Sequence, residues 1–152
     1  MGCGGPPSDW LTFEPPNRAF SVHYPRDWSA QQEADFALLS SPSGDVTLGI
    51  SSYLRPGSTL TQFATARMSV DRTIFPTASP LERLTGTGWE AITENSLGRV
   101  PGEQRLTQRR MLCAQHGQLF ISLTLYSSPS EYKRNRNTYE AILTSLRFTP
   151  SR

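Results

Sequence analysis

The sequence is short of nearly every residue type that announces a chemistry. Two cysteines, Cys3 and Cys113, are too few for a disulfide framework. Two histidines, His23 and His116, cannot complete a tetrahedral zinc site, and neither has a cysteine or carboxylate at ligand spacing. No metal and no cofactor is therefore implied. No apolar run exceeds four residues, the longest being Phe36–Leu39 and Met111–Ala114, so no membrane-spanning helix is expected in the sequence as it stands. Charged residues make up 18% of the chain and the net charge is +2, which fits neither a disordered polyelectrolyte nor a nucleic-acid coat. Lysine is almost absent: Lys133 stands alone against fourteen arginines. What remains is 152 residues with enough apolar content for one domain with its own core.

The cysteines part company once their surroundings are read. Residues 1–9, Met1-Gly2-Cys3-Gly4-Gly5-Pro6-Pro7-Ser8-Asp9, combine permissive glycines with prolines that donate no hydrogen bond, and form a flexible tether. A Met-Gly start can signal myristoylation, but Pro6 stands where Ser or Thr is needed. Gly2-Cys3 instead resembles the end of a bacterial lipobox, with Met1 replacing a removed signal peptide and Cys3 acylated. More than one acyl chain on Cys3 would meet the requirement for stable anchoring, the remainder of the tether lifting the domain off the bilayer. An incidental cysteine is the alternative. Cys113, within Met111-Leu112-Cys113-Ala114, reads as a small buried hydrophobe.

Residues 10–149 read as one globular unit. Phe20, Val22 and Tyr24 alternate with Ser21 and His23, the period of a strand with one covered face. Residues 36–40 and 46–53 form a hairpin about Ser41-Pro42-Ser43-Gly44-Asp45. Thr59 and Gln62 have capping-box spacing, and Leu60, Phe63, Ala64 and Met68 follow at helical intervals. Strands are expected over 81–85, 89–96, 105–115 and 118–126, with His116-Gly117 as the turn between the last two. Ser128-Pro129-Ser130-Glu131 supplies an N-cap, a proline at the first helical position and a glutamate at N3, opening a helix that runs to Leu146. The sum is an α+β fold: an antiparallel sheet of about six to eight strands with helices packed on both sides, an α/β/α sandwich.

No assembled catalytic motif is present. Gly86-Thr87-Gly88 lacks the third glycine of a dinucleotide fingerprint and precedes a strand. Glu90 and Glu94 share a strand face but stand roughly 13 Å apart along it, too far for a glycosidase pair, and read as exposed carboxylates. Arg99, Arg105 and Arg109 form a possible patch for an acidic partner or lipid headgroups, with Arg105 and Arg109 on one strand face. A solvated face paired with Glu90, Glu94 and Glu103 is the bland alternative.

Two segments resemble a known family. Phe20-Ser21-Val22-His23-Tyr24-Pro25-Arg26-Asp27-Trp28 resembles the F-x-x-x-Y-P-x-x-W opening of PsbP-like and Mog-type domains. Tyr139 to Phe148 resembles their closing helix and its I-L-x-S-L-x-F tail. The family comprises extrinsic photosystem II subunits, a Ran-binding import factor, envelope lipoproteins and chaperones for secreted effectors. The resemblance implies an antiparallel sheet with helices on both sides, non-enzymatic work and no catalytic residue. The resulting expectation is a lipid-anchored, periplasm-facing envelope protein that binds another protein. A cytosolic chaperone or adaptor of the same fold, and a small-molecule binder or weak hydrolase, stand as alternatives.

Overall fold

A computed structural model describes residues 7–33, 36–86 and 88–149. In chain order the elements are β1 (Leu11–Phe13), β2 (Phe20–Tyr24), β3 (Ser29–Gln32), β4 (Phe36–Ser40), β5 (Thr47–Leu54), α1 (Leu60–Ser69), β6 (Thr77–Ala78) and β7 (Glu82–Gly86). There follow β8 (Trp89–Gly98), β9 (Thr107–His116), β10 (Leu119–Ser127), α2 (Pro129–Arg134), α3 (Arg136–Thr144) and β11 (Arg147–Phe148). Eight strands form one antiparallel sheet in the order β3-β4-β5-β10-β9-β8-β6, with β7 also on β8. Strands β6 and β7 pair with different ends of β8, Leu97 and Ser96 for one and residues 89–93 for the other. A second sheet, β1-β2-β11, has three strands.

Register decides which side chains meet which layer. Opposed pairs such as Leu123↔Leu112, Leu123↔Ile50 and Leu39↔Leu48 put the apolar set of the central strands on one face. That face is covered by α3, through Tyr139, Ile142 and Leu143, and by the small sheet, through Phe13, Phe20, Val22 and Phe148. Ile142 and Leu143 are wholly buried, each worth about 1.5–3 kcal/mol relative to exposure. Two hydrogen bonds tie these layers together. Ser145 Oγ accepts from the His23 amide at 2.8 Å, and the Trp89 indole donates to the Leu146 carbonyl at 2.8 Å.

The opposite face carries Phe120, Cys113, Met111 and Ile92, and α1 covers them with Leu60, Phe63, Ala64 and Met68. Helix α1 starts as its sequence dictates: Thr59 Oγ1 accepts from the Gln62 amide at 3.1 Å, and Gln62 Oε1 accepts from the Thr59 amide at 2.9 Å. Helices thus lie on both faces of an α+β sandwich, as the sequence implies.

Three local expectations are corrected. The β9–β10 turn is Gly117-Gln118, since His116 pairs with Leu119 inside the ladder; Gly117 takes φ +62°, where glycine is favoured. Strand β9 begins at Thr107, so Arg105 lies in the preceding loop. The closing helix is two helices, broken at Asn135, whose φ −118° and ψ 25° are not helical. Ser128 caps α2 as expected, accepting from the Glu131 amide at 3.1 Å. The Glu131 carboxylate turns instead across the break, taking Tyr139 Oη at 2.7 Å, Arg134 at 2.8 Å and the Asn135 side chain.

Candidate binding surfaces

The arginines proposed as one patch occupy different environments. Cys3 lies outside the described residues. Arg99 and Arg105 are exposed, and Arg99 donates to the Gln104 carbonyl within its own loop. Arg105 borders a cleft of about 580 Å³ that also has Asp45, Glu103, Glu131 and Arg134 on its walls. Arg109 is only 1% exposed, so it cannot meet a partner alongside the other two. Its guanidinium donates to Ser96 Oγ at 3.2 Å, to the Val70 carbonyl at 2.8 Å and to the Met68 carbonyl at 3.0 Å. The last two are carbonyls at the end of α1, where the helix leaves acceptors without internal donors and a cation suits the dipole.

Glu94 is likewise not the exposed carboxylate its alternation suggested: it is 5% exposed. Both its oxygens accept from Arg72 Nη2 at 3.0 Å, and Arg109 stands 3.8 Å away. Arg72 also donates to the Met68 carbonyl at 2.7 Å and the Phe75 carbonyl at 3.2 Å. The arrangement is a clamp on the C-terminal end of α1, with one carboxylate between two cations. Sequence alternation could not find it, because the burial comes from the turn after α1.

A second ionic group lies on the other face. Arg110 donates to Glu140 through Nε at 3.0 Å and Nη2 at 2.9 Å, and Tyr132 Oη donates to the same carboxylate at 2.6 Å. Burial acts to raise the Glu140 carboxyl, but the bonds from Arg110 and Tyr132 outweigh it and hold the group below the ordinary carboxylate range. Burial and the Glu140 bond together push the Tyr132 phenol up. Glu131 is also held low, first by Tyr139 and then by Arg134. The Cys113 thiol is fully buried, and burial pushes it up to about 12 against the opposing pull of Arg67 and Ser122. That is the opposite of an activated nucleophile.

The histidines are bonded within the fold. His23 Nδ1 lies 3.0 Å from Thr12 Oγ1. His116 Nδ1 donates to the Gly88 carbonyl at 2.8 Å while its ring stacks on Phe148, centres 5.1 Å apart. Among the described residues no group of three or more His, Cys, Asp or Glu side chains is gathered as a metal would require, and no helix is long and apolar enough to cross a membrane.

What the layers leave open is a surface. Helix α1 packs over β8, β9 and β10, so among the described residues no helix lies above the β3–β4 margin of that face. Register places Phe36, Leu38, Gly49 and Ser51 together there, with Phe36 38% exposed. Beyond them lies β3, four exposed residues without a charge, which forms the free edge of the sheet.

The order of these layers defines a class: an α/β/α sandwich on an antiparallel sheet, with a small three-stranded sheet completing one side. That architecture is the PsbP-like fold. It is similar to the solution structure of cyanobacterial PsbP (CyanoP) from Synechocystis sp. PCC 6803, with TM-score 0.72 and 11% identity over 98% of each chain. It is similar also to LpqN of Mycobacterium tuberculosis, described as involved in cell envelope biogenesis, at TM-score 0.64 and 11% identity over 93% of this chain and 91% of that one. A crystal structure from Bacteroides thetaiotaomicron VPI-5482 aligns at TM-score 0.69 and 15% identity, over 94% of this chain and 50% of that one. No family model and no characterised protein matches the chain by sequence. At such identities the likeness is one of fold.

Proposed function

We propose that the domain is a non-enzymatic protein-binding module of the cell envelope, tethered to the membrane through an acylated Cys3. One observation carries the binding role. The buried ionic groups, Arg109 with Glu94 and Arg110 with Glu140, are bonded within the fold, while the helix-free β3–β4 margin is open, its strands hold no charged side chain, and Glu33, just after β3, is the charge that borders Phe36 and Leu38. Ion pairs of the first kind hold the fold together; a shallow margin of Phe36, Leu38 and largely uncharged polar groups suits a protein surface better than a small substrate. The envelope assignment draws on the Gly2-Cys3 tether and on the envelope-biogenesis description of the LpqN structure.

The test uses the full-length gene product, grown with an alkyne-bearing palmitate analogue and fractionated. The expected result is label and protein together in the membrane fraction, both lost in Cys3→Ser. A wild-type product that is unlabelled and stays in the cytosolic fraction would overturn the envelope reading in favour of the chaperone or adaptor. Site-specific photocrosslinking from position 38 should give a discrete adduct in cells, absent when the crosslinker is placed at the buried position 112. Equal adducts from both positions, or none from 38, would remove the binding role.

A further inference from the structure

Two of the arginines that form no ion pair among the described residues meet at one aromatic ring. Both Arg55 and Arg67 lie over the ring of Tyr53, each guanidinium carbon 5.3 Å from the ring centre. The two charges can therefore be no farther apart than twice that distance. Phe63 of α1 packs against the same ring, centres 5.5 Å apart, so Tyr53 is fixed between helix and sheet. Cation–π contact favours each guanidinium on the ring but does nothing for their mutual repulsion.

Carboxylates within ion-pair distance would be the usual remedy. Among the described residues the ion pairs are Arg72 and Arg109 with Glu94, Arg110 with Glu140, and Arg134 with Glu131; neither Arg55 nor Arg67 takes part. The reason is written in the chain. From Val46 to Val70, which spans β5 and α1, there is no acidic residue, and β4 and β10 contain none either. Among the described residues, then, no carboxylate stands within ion-pair distance of either arginine. Arg67 adds a second anomaly: its Nε is shut off from water and has no acceptor. Its head group is packed down rather than sweeping through solvent, which lowers the entropy lost when an anion docks.

We infer that Arg55, Tyr53 and Arg67 form a docking site for an acidic segment of a partner protein. The inference rests on the proposed role as a protein-binding module and adds a charged contact on β5, the strand next to the open β3–β4 margin. Planar guanidiniums held on an aromatic ring match carboxylates in a two-pronged geometry. Anionic membrane is the lesser fit, because surface adsorption draws on clusters of about four to eight basic residues and here there are two.

The experiment titrates the isotope-labelled full chain with an acetylated, amidated peptide that alternates glutamate with leucine, reading backbone amides and arginine Nε–Hε signals by NMR. Saturable shifts are expected at Arg55, Arg67 and the residues around Tyr53, fading as salt rises. Arg55→Gln should weaken binding by about threefold and Arg55→Gln with Arg67→Gln by about tenfold. Arg55 is exposed, so its single variant carries the test even if changing Arg67 disturbs packing. An unchanged affinity in that variant, or equal binding of the matching lysine peptide, would overturn the inference. Shifts confined to another surface would overturn it while leaving the protein-binding role intact. Cosedimentation with phosphatidylglycerol vesicles that the double variant abolishes, without peptide shifts, would assign the site to membrane instead.

Discussion

Replacing Arg109 by methionine separates two accounts of how α1 is held. Methionine keeps the side chain long and apolar, so the cavity stays small, but it donates nothing. The Val70 carbonyl and Ser96 Oγ lose their donor, while the Met68 carbonyl keeps the bond from Arg72 at 2.7 Å. Glu94 is not orphaned, since Arg72 still reaches both of its oxygens at 3.0 Å. The cost is therefore not the full loss of a buried ion pair, about 3–5 kcal/mol, and it is offset in part because a cation no longer has to be desolvated. Two acceptors left without a charged donor place the net near 3 kcal/mol, within a range of about 1–3 kcal/mol for each buried group. For a chain of this size that lowers Tm by about 6–12 °C. Urea unfolding followed by circular dichroism gives the magnitude, and amide hydrogen exchange gives the location. Protection should fall most in the last turn of α1. Arg109→Lys should recover only part of the loss, because one ammonium cannot reach acceptors arranged for a fork. A destabilisation below about 1 kcal/mol, of the size of an ordinary surface change, or unaltered protection in α1, would refute the clamp and leave Phe63 and Met68 as sufficient.

Acid titration probes the other ionic group. Glu140 is held below the ordinary carboxylate range despite its burial, so its contribution is complete above the unfolded value and is lost as pH falls through the folded one. The urea midpoint should hold down to about pH 5 and decline below about pH 4, and Glu140→Gln should flatten part of that decline; an unchanged acid slope would contradict it. Gly98→Ala should destabilise by about 1–3 kcal/mol or more, since the added Cβ would stand 1.8 Å from the Ile74 carbonyl oxygen, a backbone atom that cannot swing aside. A urea midpoint equal to wild type would show that residues 74–75 do not approach β8 so closely. Cys113, in a Cys3→Ser background, should resist a thiol-reactive chromophore at neutral pH and react at once in denaturing urea; rapid native labelling would place it outside the core.

Much of the frame was legible because local signals agreed with the global fold. The Phe20-Val22-Tyr24 alternation, the Thr59–Gln62 capping box and the Ser128-Pro129 start each rest on groups within a few residues of one another, and each is present in the structure. Cys113 was legible for the same reason, lying in an apolar run on a central strand. Arg109 was not. Alternation told correctly that it shares a face with Met111 and Cys113, but which part of a face a helix will cover depends on α1, separated by some forty positions. A polar residue at such a site reads as solvated until the helix end that needs its donors is known. The break at Asn135 was hidden differently: Tyr132, Tyr139, Ile142 and Leu143 keep one apolar face through it, so periodicity continues where the backbone does not. The pairing of β11 with β2 has no local signal, since it joins residues at opposite ends of the chain.

The same arithmetic of charge that argues against nucleic acid also conceals the Arg55–Arg67 surface. A net charge of +2 is a sum over the whole chain, whereas a docking segment senses charges within about a Debye length, roughly 8 Å at physiological salt. Three glutamates, Glu94, Glu131 and Glu140, are held in ion pairs with Arg72, Arg109, Arg110 and Arg134. The near-neutral sum comes from all thirteen acids against fifteen bases, and these three contribute nothing beside Tyr53, because β4, β5, α1 and β10 bring no acid of their own. Arginine therefore has two uses in one molecule. Inside, its fork serves carbonyls and carboxylates that the fold has already supplied. At Tyr53 the fork is held ready and no carboxylate among the described residues reaches it, which is the arrangement expected when the counter-charge belongs to another molecule.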